Sequence, residues 1–327
     1  MKILVTGSSG HLGEALMRTL QPLGHVPIGI DTVAGPFTIH RGSITDRDFV
    51  RRCMAGVAVV LHAAALHKPH VATHKRQDFI DTNITGTLNL LEAAVEAGVG
   101  SFVFTSTTSV FGDALVPPPQ APAAWITEAV QPIPKNIYGV TKSAAEDLCQ
   151  LFHRNHRLPV VVLRTSRFFP EADDDKAARD AFADANLKAN EYLYRRVDLQ
   201  DVVDAHLLAM VRAPELGFRR YIISAPTPFT PEDMPALRSD APSVLRRHIP
   251  QFEAVYAQRG WRIAPGIDRV YVSARACQEL CWKPHMDFRR IVTLLAAHED
   301  IRSPLARLIG AKGYHAERFS EGPYPVA

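Results

Sequence analysis

Tyr138 and Lys142 stand four residues apart in the run Asn136-Ile137-Tyr138-Gly139-Val140-Thr141-Lys142, at the start of an amphipathic stretch. On a helix this spacing puts both side chains on one face, with the ammonium beside the phenol. A free phenol, with a pKa near ~10, is a poor base at neutral pH. A neighbouring cation favours its ionised form and makes it a proton acceptor for a substrate hydroxyl. Upstream, Thr105-Ser106-Thr107-Thr108-Ser109 follows a strand-like run at 102–104. Open α/β sheets place their ligands at such a strand end, where a hydroxyl can bond the same substrate oxygen. Near the amino terminus Gly7, Gly10 and Gly13 are spaced G-x-x-G-x-x-G, after an apolar run and before a helical pattern. A turn of this kind lets backbone amides approach a pyrophosphate, and the helix dipole favours its charge. Asp31 ends the next apolar run, roughly 20 residues further on, where a carboxylate accepts from the ribose hydroxyls of NAD and repels the 2′-phosphate of NADP. Each signal alone also has a plain structural reading: a surface helix face, a strand-capping turn, a glycine-rich turn or a solvated aspartate.

These residues need elements to position them. Residues 3–6, 26–31, 57–61, 102–105 and 160–163 are nearly continuous apolar runs, as expected for parallel strands covered on both faces. Helical patterns at 11–21, 46–53, 78–97 and 137–156 lie between them, and the alternation predicts an α/β doubly wound parallel sheet. Residues 166–196 lack strand signals and carry an acidic stretch, Glu171 with Asp173, Asp174 and Asp175. The pattern returns to helix at 201–210 and to strand at 220–224. The expected organisation is a nucleotide-binding domain from 1–165 and about 197–226. A smaller, discontinuous C-terminal substrate domain comes from about 166–196 and 227–327.

Composition excludes several classes. The chain has 327 residues, 46% hydrophobic and 22% charged, with a net charge of +3, which fits a globular protein and excludes disorder and coiled coil. No basic block suggests nucleic acid. The most apolar run, 57–66, is about half the ~20 residues that a bilayer requires, and His62 interrupts it. No cleavable leader is visible, and four scattered cysteines fit a reducing, cytoplasmic setting. His62, His67, His70 and His74 are crowded, but no partner stands at a zinc-ligand spacing, so no metal is expected.

Residues 6–13, the run Leu61-His62-Ala63-Ala64-Ala65, Asn83, residues 104–112 and the Tyr138/Lys142 pair, in this order, resemble the extended short-chain dehydrogenase/reductase family, the NAD-dependent epimerases and dehydratases. The resemblance spans roughly 1–165, with weaker echoes at 197–210 and 273–284. It implies a Rossmann-type fold and a tightly held NAD. The cofactor contacts it implies are Gly7, Ser9, Gly10, His11, Leu12, Gly13, Asp31, His62, Ala63, Ala64, Ala65, Asn83, Thr105, Tyr138 and Lys142, with Lys142 bonded to the nicotinamide ribose. The family's catalytic Ser/Thr falls on Thr107, so Thr107, Tyr138 and Lys142 are the implied catalytic set. Family members pair as homodimers through two helices that here carry Ala93, Val95, Leu148 and Leu151, which equally suit packing on the sheet. Departures narrow the chemistry. Thr108 and Ser109 stand where 4,6-dehydratases carry Asp and Glu, which disfavours that elimination. Arg167 replaces the family's substrate asparagine, and Tyr194 stands near its diphosphate-gripping arginine. Arg167 reads either as a clamp for an anionic substrate group or as an ion pair to the acidic run. Thr107, Thr108 and Arg167 are the expected substrate contacts. The expected function is NAD-dependent epimerisation or dehydrogenation at a hydroxyl of a sugar or sugar-derived substrate, anionic or nucleotide-linked. The alternatives are NAD(P)-dependent reduction of a non-sugar carbonyl and a non-catalytic, NAD-sensing regulator.

Overall fold

The computed structural model describes residues 1–313, 315 and 319. Seven parallel strands form the main sheet: β1 (Lys2–Thr6), β2 (Val26–Asp31), β3 (His40–Arg41), β4 (Val59–His62), β5 (Ser101–Thr107), β7 (Val160–Thr165) and β8 (Phe218–Ile223), in the order β3-β2-β1-β4-β5-β7-β8. Side chains alternate across each strand. Ile3, Val5, Leu61, Val103, Val161 and Leu163 join the core under α1 (His11–Leu20) and α8 (Leu199–Leu216). Leu4, Val60, Phe102, Phe104, Val160 and Val162 join the opposite core, under α2 (Arg47–Cys53), α4 (Gly86–Glu96) and α5 (Ile137–His156). Both faces are covered, which is why the strands read as unbroken apolar runs. The order reverses between β1 and β4, so their following segments diverge and open a crevice at the carboxyl ends of the strands.

The helix expected over 78–97 is three pieces: α3 (Arg76–Phe79), a π-helical turn (Ile80–Thr85) and α4. The π turn carries Asn83, whose amide accepts from the Leu66 N–H at 2.9 Å and donates to the Leu66 carbonyl and the Thr141 hydroxyl, each at 3.0 Å. An inserted residue at a functional wall is a common use of such bulges.

A second core gathers α7 (Asp184–Glu191), which follows α6 (Lys176–Ala181), with α9 (Met234–Leu237), α10 (Ala241–His248), α11 (Phe252–Arg259) and α13 (Phe288–Ala296). The two-stranded pair β6 (Ala124–Ile126) and β9 (Arg269–Tyr271) edges this core. Ala123, beside β6, packs there, so part of 1–165 leaves the main sheet. Conversely, Ala276 of α12 (Ala274–Glu279), Trp282 and Ile309 of α14 (Pro304–Ile309) pack under α1 and α8. The proposed domain boundaries are therefore interleaved: apolar side chains, not chain position, decide which core a segment joins. Ala93, Val95 and Leu148 pack on the sheet-side core, and Leu151 is exposed. No helix among the described residues is long and apolar enough to cross a membrane.

Helix α5 starts where the Asn136 side chain accepts from the Gly139 N–H, and its buried stripe repeats every fourth residue at Tyr138, Lys142 and Glu146. Glu146 is 1% exposed. It accepts from Ser106 Oγ at 2.6 Å, from Arg164 Nη2 at 2.7 Å and from Arg220 Nε at 3.1 Å, joining α5 to β5, β7 and β8. Removing one partner of such a pair leaves a buried, uncompensated charge. Glu146→Ala is expected to cost about 3–5 kcal/mol, read from the midpoint of denaturant unfolding; a loss under ~1 kcal/mol would show that Arg164 is rescued by water.

Candidate active site

The crevice at the β1/β4 switch point has a volume of about 530 Å³. Gly7, Ser9, Gly10, His11, Leu12, Gly13, Asp31, Ala63, Ala64, Ala65 and Thr105 all line it, so eleven of the expected cofactor contacts meet in one place. Gly7 has φ +72°, and a Cβ there would stand 2.9 Å from the Ala64 nitrogen. A Cβ on Gly13 would overlap the Gly7 carbonyl, so only glycine lets α1 close on the loop. No side chain caps α1, and the amides of Leu12 and Gly13 have no acceptor among the described residues. They face a cradle suited to phosphate oxygens. Asp31 accepts from the Ser9 and Val33 N–H groups, both at 2.9 Å, and each carboxylate oxygen keeps a second lone pair for a ribose hydroxyl. The donor set and the room left by the glycines fit a dinucleotide.

Four expected contacts lie elsewhere: Tyr138 and Lys142 line the adjoining cavity, and His62 and Asn83 line neither space. His62 is 1% exposed and turned into the protein, with Nδ1 2.8 Å from Thr6 Oγ1 and Nε2 2.9 Å from Thr87 Oγ1. Burial holds its pKa well below the usual imidazole range. Asn83 is likewise enclosed, its amide spent on Leu66 and Thr141. Both are positioning residues. His62 holds Thr6, whose Oγ1 accepts from the Ala63 and Ala64 amides, and Asn83 holds the backbone at Leu66.

A second cavity of about 540 Å³ adjoins the crevice and shares Ala63, Ala65, His67, Thr105, Phe168 and Phe169 with it. Thr107, Thr108, Tyr138, Lys142 and Arg167 line this cavity. Three successive β5 residues meet the three-residue stripe of α5. Lys142 Nζ donates to the Thr105 carbonyl at 2.7 Å, Ser106 donates to Glu146, and Tyr138 and Thr107 line the same cavity. Burial pushes the Tyr138 phenol up to about 12, against a smaller downward pull from Thr107. Burial also pushes Lys142 down to about 7, against the raising effects of Cys149 and Glu146. The ammonium lies 3.9 Å from the centre of the Phe104 ring. Desolvation is the largest effect on both groups.

Of the two readings of Arg167, the structure shows the ion pair to the acidic run. Nη1 donates to Asp173 at 3.2 Å and to Asp174 at 3.4 Å, and Nη2 donates to the Ala172 carbonyl at 2.8 Å. The acidic run has drawn its guanidinium back onto the chain that follows. His67 and His70 edge the crevice, with the His67 N–H donating to His70 Nδ1 at 2.8 Å, and burial pushes His67 down to about 3.

Sequence reasoning missed the Glu171 contacts at the crevice. Glu171 Oε1 lies 2.9 Å from His11 Nε2 and accepts from the Lys312 and Gly313 amides at 3.0 and 3.1 Å. Burial works against its charge, but these partners hold it at about 2. Lys312 and Gly313 line the crevice from the far end of the chain. The Glu146 contact was legible as the next step of the four-residue stripe; nothing in the sequence pairs Glu171 with Lys312.

The Lys142 shift has a measurable sign. Unfolded, the amine titrates near its ordinary 10.5; folded, it titrates near 7. Between these values the unfolded chain binds the extra proton, so stability rises with pH there, while below 7 the folded state carries the whole cost. In cofactor-free protein, the wild type is expected to gain on Lys142→Met by up to ~1.4 kcal/mol per pH unit as pH rises from neutral. Denaturant melts at several pH values read this, and parallel profiles for the two proteins would count against it.

Comparison with known proteins agrees with this geometry. The NAD dependent epimerase/dehydratase family matches residues 3–223. The UDP-glucose 4-epimerase of Streptomyces lividans is 27% identical over 252 residues, covering 65% of this chain and 72% of its own. The dTDP-glucose 4,6-dehydratase of Streptomyces antibioticus is 29% identical over 334 residues, covering 88% and 89%. A short-chain dehydrogenase/reductase superfamily protein from Agrobacterium tumefaciens, solved with bound NAD, shares the fold at a TM-score of 0.64, with 24% identity over 91% of this chain and 96% of that one. With a dinucleotide cradle, a hydroxyl-lined cavity beside it and a family match over two thirds of its length, the chain belongs to the NAD dependent epimerase/dehydratase family and takes NAD as its cofactor.

Proposed function

We propose that the protein epimerises a carbinol centre of a sugar or sugar-derived substrate, with Tyr138 and Thr107 acting on the substrate hydroxyl. The observation that carries this reading is that Tyr138 and Thr107 line one cavity, which shares its wall with the dinucleotide crevice. Bound NAD supplies the acceptor, and then the donor, of a hydride. The protein's part is proton handling and placement. Tyr138, once ionised, takes the hydroxyl proton, and the Thr107 hydroxyl donates to the oxygen that gains charge. Lys142, held against the Thr105 carbonyl, stabilises the phenolate while it is itself protonated.

Two observations favour epimerisation over the other outcomes. Lys312 and Gly313, tied to Glu171, line the crevice and add contacts that suit a cofactor retained through turnover. The 4,6-elimination seen in one relative's name needs a free acid and base by the substrate. Here Asp173, Asp174 and Asp175 are the cavity's carboxylates among the described residues. Arg167 and Arg195 occupy Asp173, Lys68 occupies Asp174, and the first amides of α6 occupy Asp175. The homodimer implied by family resemblance is part of the same proposal.

Tyr138→Phe is expected to lower kcat by roughly 10²–10⁴-fold, with NAD affinity unchanged, in a screen of sugars, sugar acids and nucleotide sugars that follows stereochemistry and NADH absorbance together. Free NADH accumulating in step with product would replace epimerase by dehydrogenase. Unimpaired turnover by the variant would remove Tyr138 from the chemistry.

A further inference from the structure

We infer that Arg269, on the second-core side of the reaction cavity, reads an oxyanion carried by the substrate and selects for substrates that bear one. Strand alternation aims it there. Arg269 and Tyr271 of β9 both line the cavity, while Val270 between them is fully buried in the second core. Pairing of β9 with β6 fixes the strand, with Arg269 opposite Ala124. The side chain lies along the Tyr194 ring, its guanidinium carbon 5.9 Å from the ring centre.

Charge bookkeeping singles this residue out. Six cationic side chains line the cavity. Lys68 is paired with Asp174, Lys135 with Asp113, Arg167 with Asp173 and Asp174, and Arg195 with Asp173 and Glu191. Lys142 is held by the Thr105 carbonyl. Arg269 has no hydrogen-bond or carboxylate partner among the described residues, and its Nε is buried without an acceptor. The adjacent Asp268 is taken by Arg238. A partly buried guanidinium without an acceptor is costly to leave unmet, and its planar fork matches a carboxylate or a phosphoryl group with two parallel bonds. Because the same cavity holds Tyr138 and Thr107, the oxyanion and the reacting hydroxyl belong to one ligand. Arg269 would then supply the anion-reading cation that Arg167, tied to the acidic run, does not.

The inference rests on a sugar-type substrate but is tested without turnover. NAD-loaded protein is titrated calorimetrically with two matched pairs: UDP-glucuronate against UDP-glucose for a carboxylate, and glucose 6-phosphate against glucose for a phosphoryl group. In at least one pair the anionic member is expected to bind roughly 10- to 100-fold more tightly. Arg269→Gln should erase that preference and Arg269→Lys should keep part of it, with NAD affinity and melting temperature unchanged in both. Equal binding within both pairs, or a preference that survives Arg269→Gln, overturns the inference. A preference without any turnover of the preferred sugar leaves Arg269 in place and counts against the epimerase reading instead.

Discussion

A carboxylate removed from water must be met by cations and donors that stay in place, and Glu146 meets this requirement by gripping three strands of the sheet at once. Its partners, Ser106, Arg164 and Arg220, lie on β5, β7 and β8, so α5 can neither slide nor rotate without baring a charge. Lys142 and Tyr138 sit one and two turns earlier on the same stripe and inherit that fixed register. The Lys142 amine and the Glu146 carboxylate are thus fixed on the Thr105 carbonyl and the Ser106 hydroxyl, and Tyr138 follows on the same stripe. An ion pair used in this way contributes more to geometry than to net stability.

The same economy holds across the switch point. Thr6 at the end of β1 accepts the amides of Ala63 and Ala64 at the end of β4, while His62 braces the threonine from behind. The segment that leaves β4 is then held by Asn83 from the π turn, which also reaches Thr141 on α5. One hydrogen-bonded run from β1 to α5 therefore walls both crevice and reaction cavity, which explains how Ala63, Ala65 and His67 serve both spaces.

Much of this was legible in the sequence because local rules and tertiary packing agree there. Continuous apolar runs mean strands covered on both faces, and the glycine spacing means a helix pressed against a turn. The four-residue interval means one helical face. Reading failed where a side chain's partner lies far along the chain. His62 and Asn83 sit in motifs beside the crevice, yet their polar atoms are claimed by Thr6, Thr87, Leu66 and Thr141, and no spacing announces that. Arg167 shows the opposite case. The acidic run that captured it was visible six residues downstream, but sequence order cannot say whether a guanidinium points outward or folds back. The short strands β6 and β9 carry only three residues each, too few to show periodicity, although they decide which core Ala123 and Val270 enter. The acidities of Tyr138 and Lys142 follow from burial, which composition does not reveal.

Glu171 has a consequence beyond the crevice. Its carboxylate touches the helix at the dinucleotide crevice and the distal residues Lys312 and Gly313 that line it, and it lies two residues from Asp173, which anchors two arginines of the reaction cavity. The two chambers thus share one short stretch of chain, residues 171–173. Any coupling of binding free energy carried by that short stretch is, by thermodynamic reciprocity, equal in both directions.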